Sequence, residues 1–166
     1  LIQNLRLAGY DPQFYDIDGL RPNFEEVLKY FEEEAPDVLG ISAVVSTAYS
    51  YTKKLALAIK RVSPKTTIVV GGNLAASSEL LHRFCDVDVC VIGEGERTLV
   101  NLVRYFETNR EEDDQSGLSE IRGITFLDGA GEVEFTGYDM AIPAAEFTNP
   151  DWSILEQFSN IDNYIT

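Results

Sequence analysis

With 166 residues, 45% of them hydrophobic, the chain is long enough to bury a core without disulfides or metals and reads most simply as one domain. Its formal charge of −15 argues against nucleic-acid backbones and anionic membranes as partners. No apolar run reaches bilayer-spanning length, and Cys85 and Cys90 lie in or beside apolar runs as buried thiols do, so a reducing cytoplasm fits best.

In chain order, Leu1 to Tyr10 reads as the end of an amphipathic helix closed by Gly9. A chain that opens inside a helix, without Met, is expected to be a fragment of something longer. Gln13–Ile17 is predicted as a strand. A helix follows from Asn23 to Glu34, with Phe24, Val27, Leu28 and Phe31 at helical spacing. Pro36-Asp37 stops it and launches a strand ending near Ser42. The next helix runs from Thr47 to Val62, with Leu55, Ala58, Ile59 and Val62 on its inner stripe, and Ser63-Pro64 ends it.

Ile68-Val69-Val70 is a β-branched run of the kind buried on both faces of a parallel sheet, and it ends in Gly71-Gly72. Ser77–Phe84 is a shorter helix. A third buried strand, Val89-Cys90-Val91-Ile92, ends in Gly93-Glu94-Gly95-Glu96, and Arg97–Glu107 is again helical. Glu111–Gly117 is an acidic surface loop. Gly123–Leu127 and Glu132–Phe135 flank Asp128-Gly129-Ala130-Gly131 as a hairpin. From Tyr138 onward no period is visible, and the segment reads as a linker. The divisions expected are 1–117, 118–137 and 138–166.

Strands alternating with helices give an α/β fold: a doubly wound parallel sheet, flavodoxin-like or Rossmann-like, with a C-terminal β-hairpin and linker. Ligands of such sheets bind outside the carboxyl ends of the strands, where three apolar strands here end in Ser42, Gly71 and Gly93. Each motif also has a plainer role. Glycine pairs make turns, and Glu96 at a helix start complements the helix dipole. Tyr49 and Tyr51 either line a planar ligand or pack on a helix face. His82 has no second ligand beside it and is read as a surface or packing residue.

As a set, these segments resemble the cobalamin-binding domain on the amino-terminal side of many radical S-adenosylmethionine enzymes. The group that includes anaerobic magnesium-protoporphyrin ester cyclase is the nearest likeness. Pro36-Asp37-Val38-Leu39-Gly40-Ile41-Ser42 is similar to its PDVVGIS strand, and Ser46-Thr47-Ala48-Tyr49 to the loop that follows. Gly71-Gly72-Asn73 resembles its GGNH-like turn, and Gly93-Glu94-Gly95-Glu96-Arg97-Thr98 its GEGE segment. Ile121-Arg122-Gly123-Ile124 and Asn149-Pro150-Asp151-Trp152 match its later part. Ser42-Ala43-Val44 stands where the cobalamin domains of mutases and methionine synthase carry Ser-x-Leu, and 26 residues separate it from Gly71, a similar interval.

The resemblance implies that Ser42, Val44, Ser46, Thr47, Tyr49, Gly71, Gly72, Asn73, Gly93, Glu94, Gly95 and Glu96 contact cobalamin. It implies no catalytic residue and no protein ligand to cobalt in this chain. Gly72→Val is expected to weaken binding more than folding. The family's first strand, with any Asp-x-His-x-x-Gly, would precede Leu1. Its absence would leave a slot of roughly 9–10 Å between Gln13–Ile17 and Val38–Ser42. A radical S-adenosylmethionine domain downstream is the implied partner, with S-adenosylmethionine and a [4Fe-4S] cluster outside this chain. No Cys-x3-Cys-x2-Cys occurs here, so no catalysis by the fragment alone is expected. In the parent, cobalamin would carry a methyl group or assist a radical step. Two other readings stay open: a degenerate interaction domain, and a flavodoxin-like domain for another cofactor such as a flavin.

Overall fold

The computed structural model describes residues 1–109, 116–143 and 151–164. Most of the expected acidic loop, and Asn149-Pro150 of the tail, lie outside them. Five strands form one sheet in the order β1 (Val38–Ser42), β2 (Thr67–Gly71), β3 (Val89–Val91), β4 (Ile124–Leu127) and β5 (Val133–Phe135). The first three are parallel, and the hairpin β4–β5 adds to β3 antiparallel. The hairpin is therefore part of the same sheet.

The α-helices among the described residues are α1 (Ile2–Leu7), α2 (Ile17–Leu20), α3 (Phe24–Glu34), α4 (Tyr49–Val62), α5 (Ser78–Cys85), α6 (Glu96–Thr108) and α7 (Trp152–Glu156). Strand alternation divides the core in two. Ile68, Val70 and Cys90 face Val27 and Phe31 of α3, Leu55, Ala56 and Ile59 of α4, and Leu81 and Cys85 of α5. Val69, Val89 and Val91 face Leu102 of α6 with Ile124 and Phe126. Burial on both faces explains why β2 and β3 are unbroken apolar runs.

Local signals fix the ends of the elements. Asn23 and Glu26 form a capping box at the start of α3, with both hydrogen bonds at 3.0 Å. Gly9, at φ +94°, closes α1 while the Tyr10 N–H reaches the Leu5 carbonyl at 3.0 Å. At the amino ends of the strands, Lys60 Nζ donates to Asp88 at 2.7 Å and to the Thr66 carbonyl at 2.8 Å, and Asp88 also accepts the Ile68 N–H. That end is closed by ion pairing. Among the described residues, the carboxyl ends of β1, β2 and β3 run into loops and 3-10 turns.

Three expectations change. Gln13–Ile17 is not a strand: it leads irregularly into α2, where Asp16 caps the helix by accepting the Gly19 N–H at 3.0 Å. A strand exists only with a ladder partner, and β1 pairs on one side alone, with β2, among the described residues. The expected slot therefore lacks its second strand flank. The inner stripe of α4 is Thr52, Leu55, Ala56 and Ile59, whereas Val62 is exposed, because the helix also packs against α3 and α5. The tail is more than a featureless connection. Arg6 donates to Gln157 at 3.0 Å, and Tyr164 and Ser159 both donate to Asp16. Burial pushes the Asp16 pKa up, but the bonds from Ser159, Tyr164 and Gly19 outweigh it and hold it below its ordinary value. The same bond pushes the Tyr164 hydroxyl up to about 12.

Candidate functional site

The carboxyl ends of β1 and β2 are stitched together. Ser42 pairs with Gly71 in the ladder, the Ala43 N–H reaches the Gly71 carbonyl at 2.9 Å, and the Leu74 N–H reaches the Ala43 carbonyl at 3.0 Å. The loop after β1 exposes Val44 (60%) and Val45 (57%), then makes a 3-10 turn over Ser46–Ala48. Ser46 and Thr47 are exposed at its start, and Asn73 opens a second 3-10 turn that touches the first. Ser42, Val44, Ser46, Thr47, Gly71, Gly72 and Asn73 are thus brought to one edge. An exposed aliphatic pair beside hydroxyls suits a ligand with both apolar faces and polar arms.

The two adjacent glycines differ. A Cβ on Gly71 meets nothing within 4 Å, whereas a Cβ on Gly72 would lie 2.6 Å from the Ala43 carbonyl oxygen and 2.9 Å from its carbon. Gly72 also holds φ +84° and ψ −175°, a region essentially reserved for glycine. Glycine at 72 is a requirement of the turn, so the Gly72→Val variant expected to weaken binding carries a folding cost as well. Gly71 is the open position. Gly40 shares its face of the sheet: alternation puts Gly40, Ser42 and Gly71 on the side away from α4, and a Cβ on Gly40 also meets nothing within 4 Å. Gly40 was missed as a site residue, although the two-residue spacing from Ser42 carries the signal.

Beyond β3, Gly93 has φ +93° with open space around it, Gly95 precedes α6 and Glu96 is its first residue, the dipole position. Glu94 is exposed, and one of its oxygens accepts the Ile142 N–H at 2.9 Å. Tyr49 sits on the first turn of α4 against the core, and the neighbouring Cys85 thiol raises the phenol's pKa. Tyr51 packs edge-on to Phe24 at 6.0 Å. For both, packing on a helix face describes what is seen.

His82 is buried, at 5% exposure, between the Val87 carbonyl (Nδ1, 2.8 Å) and the Thr125 hydroxyl (Nε2, 3.0 Å). A carbonyl only accepts, so Nδ1 carries the proton and Nε2 accepts from Thr125. Burial lowers its pKa. Its partner Val87 precedes β3, so His82 stands toward the amino ends of the strands, opposite the glycine rim. Cys85 and Cys90 are free and buried, and burial pushes Cys90 up to about 12. Among the described residues no group of His, Cys, Asp and Glu could hold a metal ion.

The family model described as "B12 binding domain" matches residues 1–103. The anaerobic magnesium-protoporphyrin IX monomethyl ester cyclase of Cereibacter sphaeroides is 31% identical over 164 residues, covering 97% of this chain and 25% of that protein. Cytidylyl-2-hydroxyethylphosphonate methyltransferase of Streptomyces wedmorensis is 26% identical over 114 residues, 66% of this chain and 20% of that protein. Among solved structures, the radical S-adenosylmethionine methyltransferase TsrM of Kitasatospora setae shares the fold, with a TM-score of 0.65 over 79% of this chain and 25% of that one, at 20% identity. The chain therefore spans about a quarter of the length of these relatives.

Proposed function

The chain belongs to the B12 binding domain family, and from that premise we propose that it is the cobalamin-holding part of a longer radical S-adenosylmethionine protein. The observation that carries the reading is the bare strip of Gly40, Ser42 and Gly71 at the carboxyl ends of β1 and β2, where added Cβ atoms at both glycines meet no neighbour. A bulky cofactor with a nucleotide tail needs such a strip for the tail. Ser42, Ser46 and Thr47 offer hydroxyls to its polar arms, and Val44 with Val45 an apolar patch for the corrin. Asn73, Gly93, Gly95 and Glu96 line the neighbouring strand ends. When bound, cobalamin supplies cobalt chemistry, carrying a methyl group or assisting a radical step.

The substrate chemistry, S-adenosylmethionine and a [4Fe-4S] cluster belong to the rest of the parent protein in this reading. The radical domain downstream is the partner. A cytoplasmic setting is supported by two free, buried cysteines, and no helix among the described residues is long and apolar enough to cross a membrane.

The test is a titration with hydroxocobalamin followed by absorbance. A saturable shift of the corrin spectrum is expected, and the shift should be unchanged in His82→Gln, because His82 lies at the opposite end of the sheet. Absence of any shift would favour an interaction domain, and loss of the shift in a His82→Gln protein of unchanged melting temperature would contradict a site at the glycine rim.

A further inference from the structure

The segment that leaves the hairpin crosses the rim instead of departing from it. The Ile92 N–H donates to the Gly123 carbonyl at 2.8 Å, and the Gly123 N–H donates to the Gly137 carbonyl at 2.8 Å. The end of β3 is thereby tied to the point where β5 ends. Gly137, at φ +82°, turns the chain, and Arg122 bonds the Thr136 carbonyl beside it. Five residues on, the Ile142 N–H is held by the Glu94 carboxylate at 2.9 Å. Between these two anchors, Tyr138–Ala141 and Ile92–Glu94 line a half-open pocket of about 230 Å³.

Two features of this strap call for a ligand. Tyr138 is 75% exposed and Met140 is 78% exposed, although both belong to a segment pinned at each end beside the glycine rim. The pocket is smaller than the roughly 300–1,000 Å³ that encloses a whole small-molecule ligand, so it suits one arm of a larger group whose body lies outside. Glu94 is exposed, and the hydrogen bond it accepts among the described residues comes from a backbone N–H, that of Ile142.

We propose that Tyr138–Ile142 forms a further wall of the cobalamin site, and that Glu94 is the positioning residue that holds it against the rim. The proposal rests on the reading of the chain as a cobalamin domain. Gly93 leaves the space and the strap frames it. One amide-bearing arm of the corrin edge enters the pocket, with Tyr138 and Met140 covering the methyl-lined periphery. The strap lies outside residues 1–103, so the wall is an addition to the matched domain.

The experiment combines chymotrypsin cleavage after Tyr138 with the dissociation rate of hydroxocobalamin, both on the whole chain. Saturating hydroxocobalamin is expected to slow that cleavage at least fivefold. Glu94→Ala, which removes the acceptor, and Ile142→Pro, which removes the donor N–H, should each speed dissociation about fivefold at an unchanged melting temperature. Glu94→Gln keeps an acceptor and should recover most of the wild-type rate. If cobalamin binds but leaves Tyr138 cleavage unchanged, or if Glu94→Ala and Ile142→Pro dissociate at the wild-type rate, the wall is overturned while the cobalamin reading stands. If no spectral shift occurs in the wild type, both fall together.

Discussion

The ends of β2 and β3 carry the same sequence signature, a buried apolar strand running into glycine, yet the glycines answer to different forces. At β2, Gly72 is pressed against the Ala43 carbonyl and the loop is locked by the Leu74 N–H. At β3, Gly93 turns with a positive φ into open space, and the covering comes from a segment more than 40 residues later, through Glu94 and Ile142. One turn is closed by its neighbour strand, the other by a distant strap. Close approach and ligand space therefore cannot be told apart by composition.

The largest expected effect breaks the first of these turns. Gly72→Ala combines a glycine-only conformation with overpacking against backbone and should destabilise by about 2–5 kcal/mol. Gly93→Ala bears only the conformational part, about 1–2 kcal/mol. Thermal melts of the two variants side by side check the contrast, and equal losses would erase it.

A smaller effect concerns what keeps the β3 side in place. His82 ties α5 to β4 through Thr125, and burial holds its pKa below the ordinary value of about 6.5. Between the folded value and about 6.5 the unfolded chain binds more protons, so this group's contribution to stability falls as pH drops through that window. The slope is at most about 1.4 kcal/mol per pH unit. Urea midpoints at pH 7.5, 6.5 and 5.5 should therefore fall more steeply in wild type than in His82→Gln. Parallel curves would mean that His82 does not stay neutral in the fold.

Much of the scaffold was legible because its cause is local or periodic. Ile68–Val70 is apolar on both faces and could only be a covered strand, and Asn23 with Glu26 announces the start of α3. The failures have non-local causes. Gln13–Ile17 has strand-like composition, but without a ladder the Asp16 cap decides its conformation. In α4 the packing of α3 and α5 rotates the stripe toward Thr52 and Ala56. At the site, the rim was readable from strand ends, whereas the difference between Gly71 and Gly72 depends on Ala43, in another strand's loop. The strap was invisible, since Glu94 recognises a backbone N–H, which any non-proline residue supplies.

The central claim is that cobalamin sits on the bare strip at the ends of β1 and β2. Its most direct measurement is the affinity of Gly71→Val for hydroxocobalamin, set beside its melting temperature. Valine there fills open space without a strained φ, so the account predicts a melting temperature within about 4 °C of wild type, a change of about 1 kcal/mol or less. It predicts affinity at least tenfold weaker, which is about 1.4 kcal/mol or more. Wild-type affinity in a folded Gly71→Val protein would contradict it.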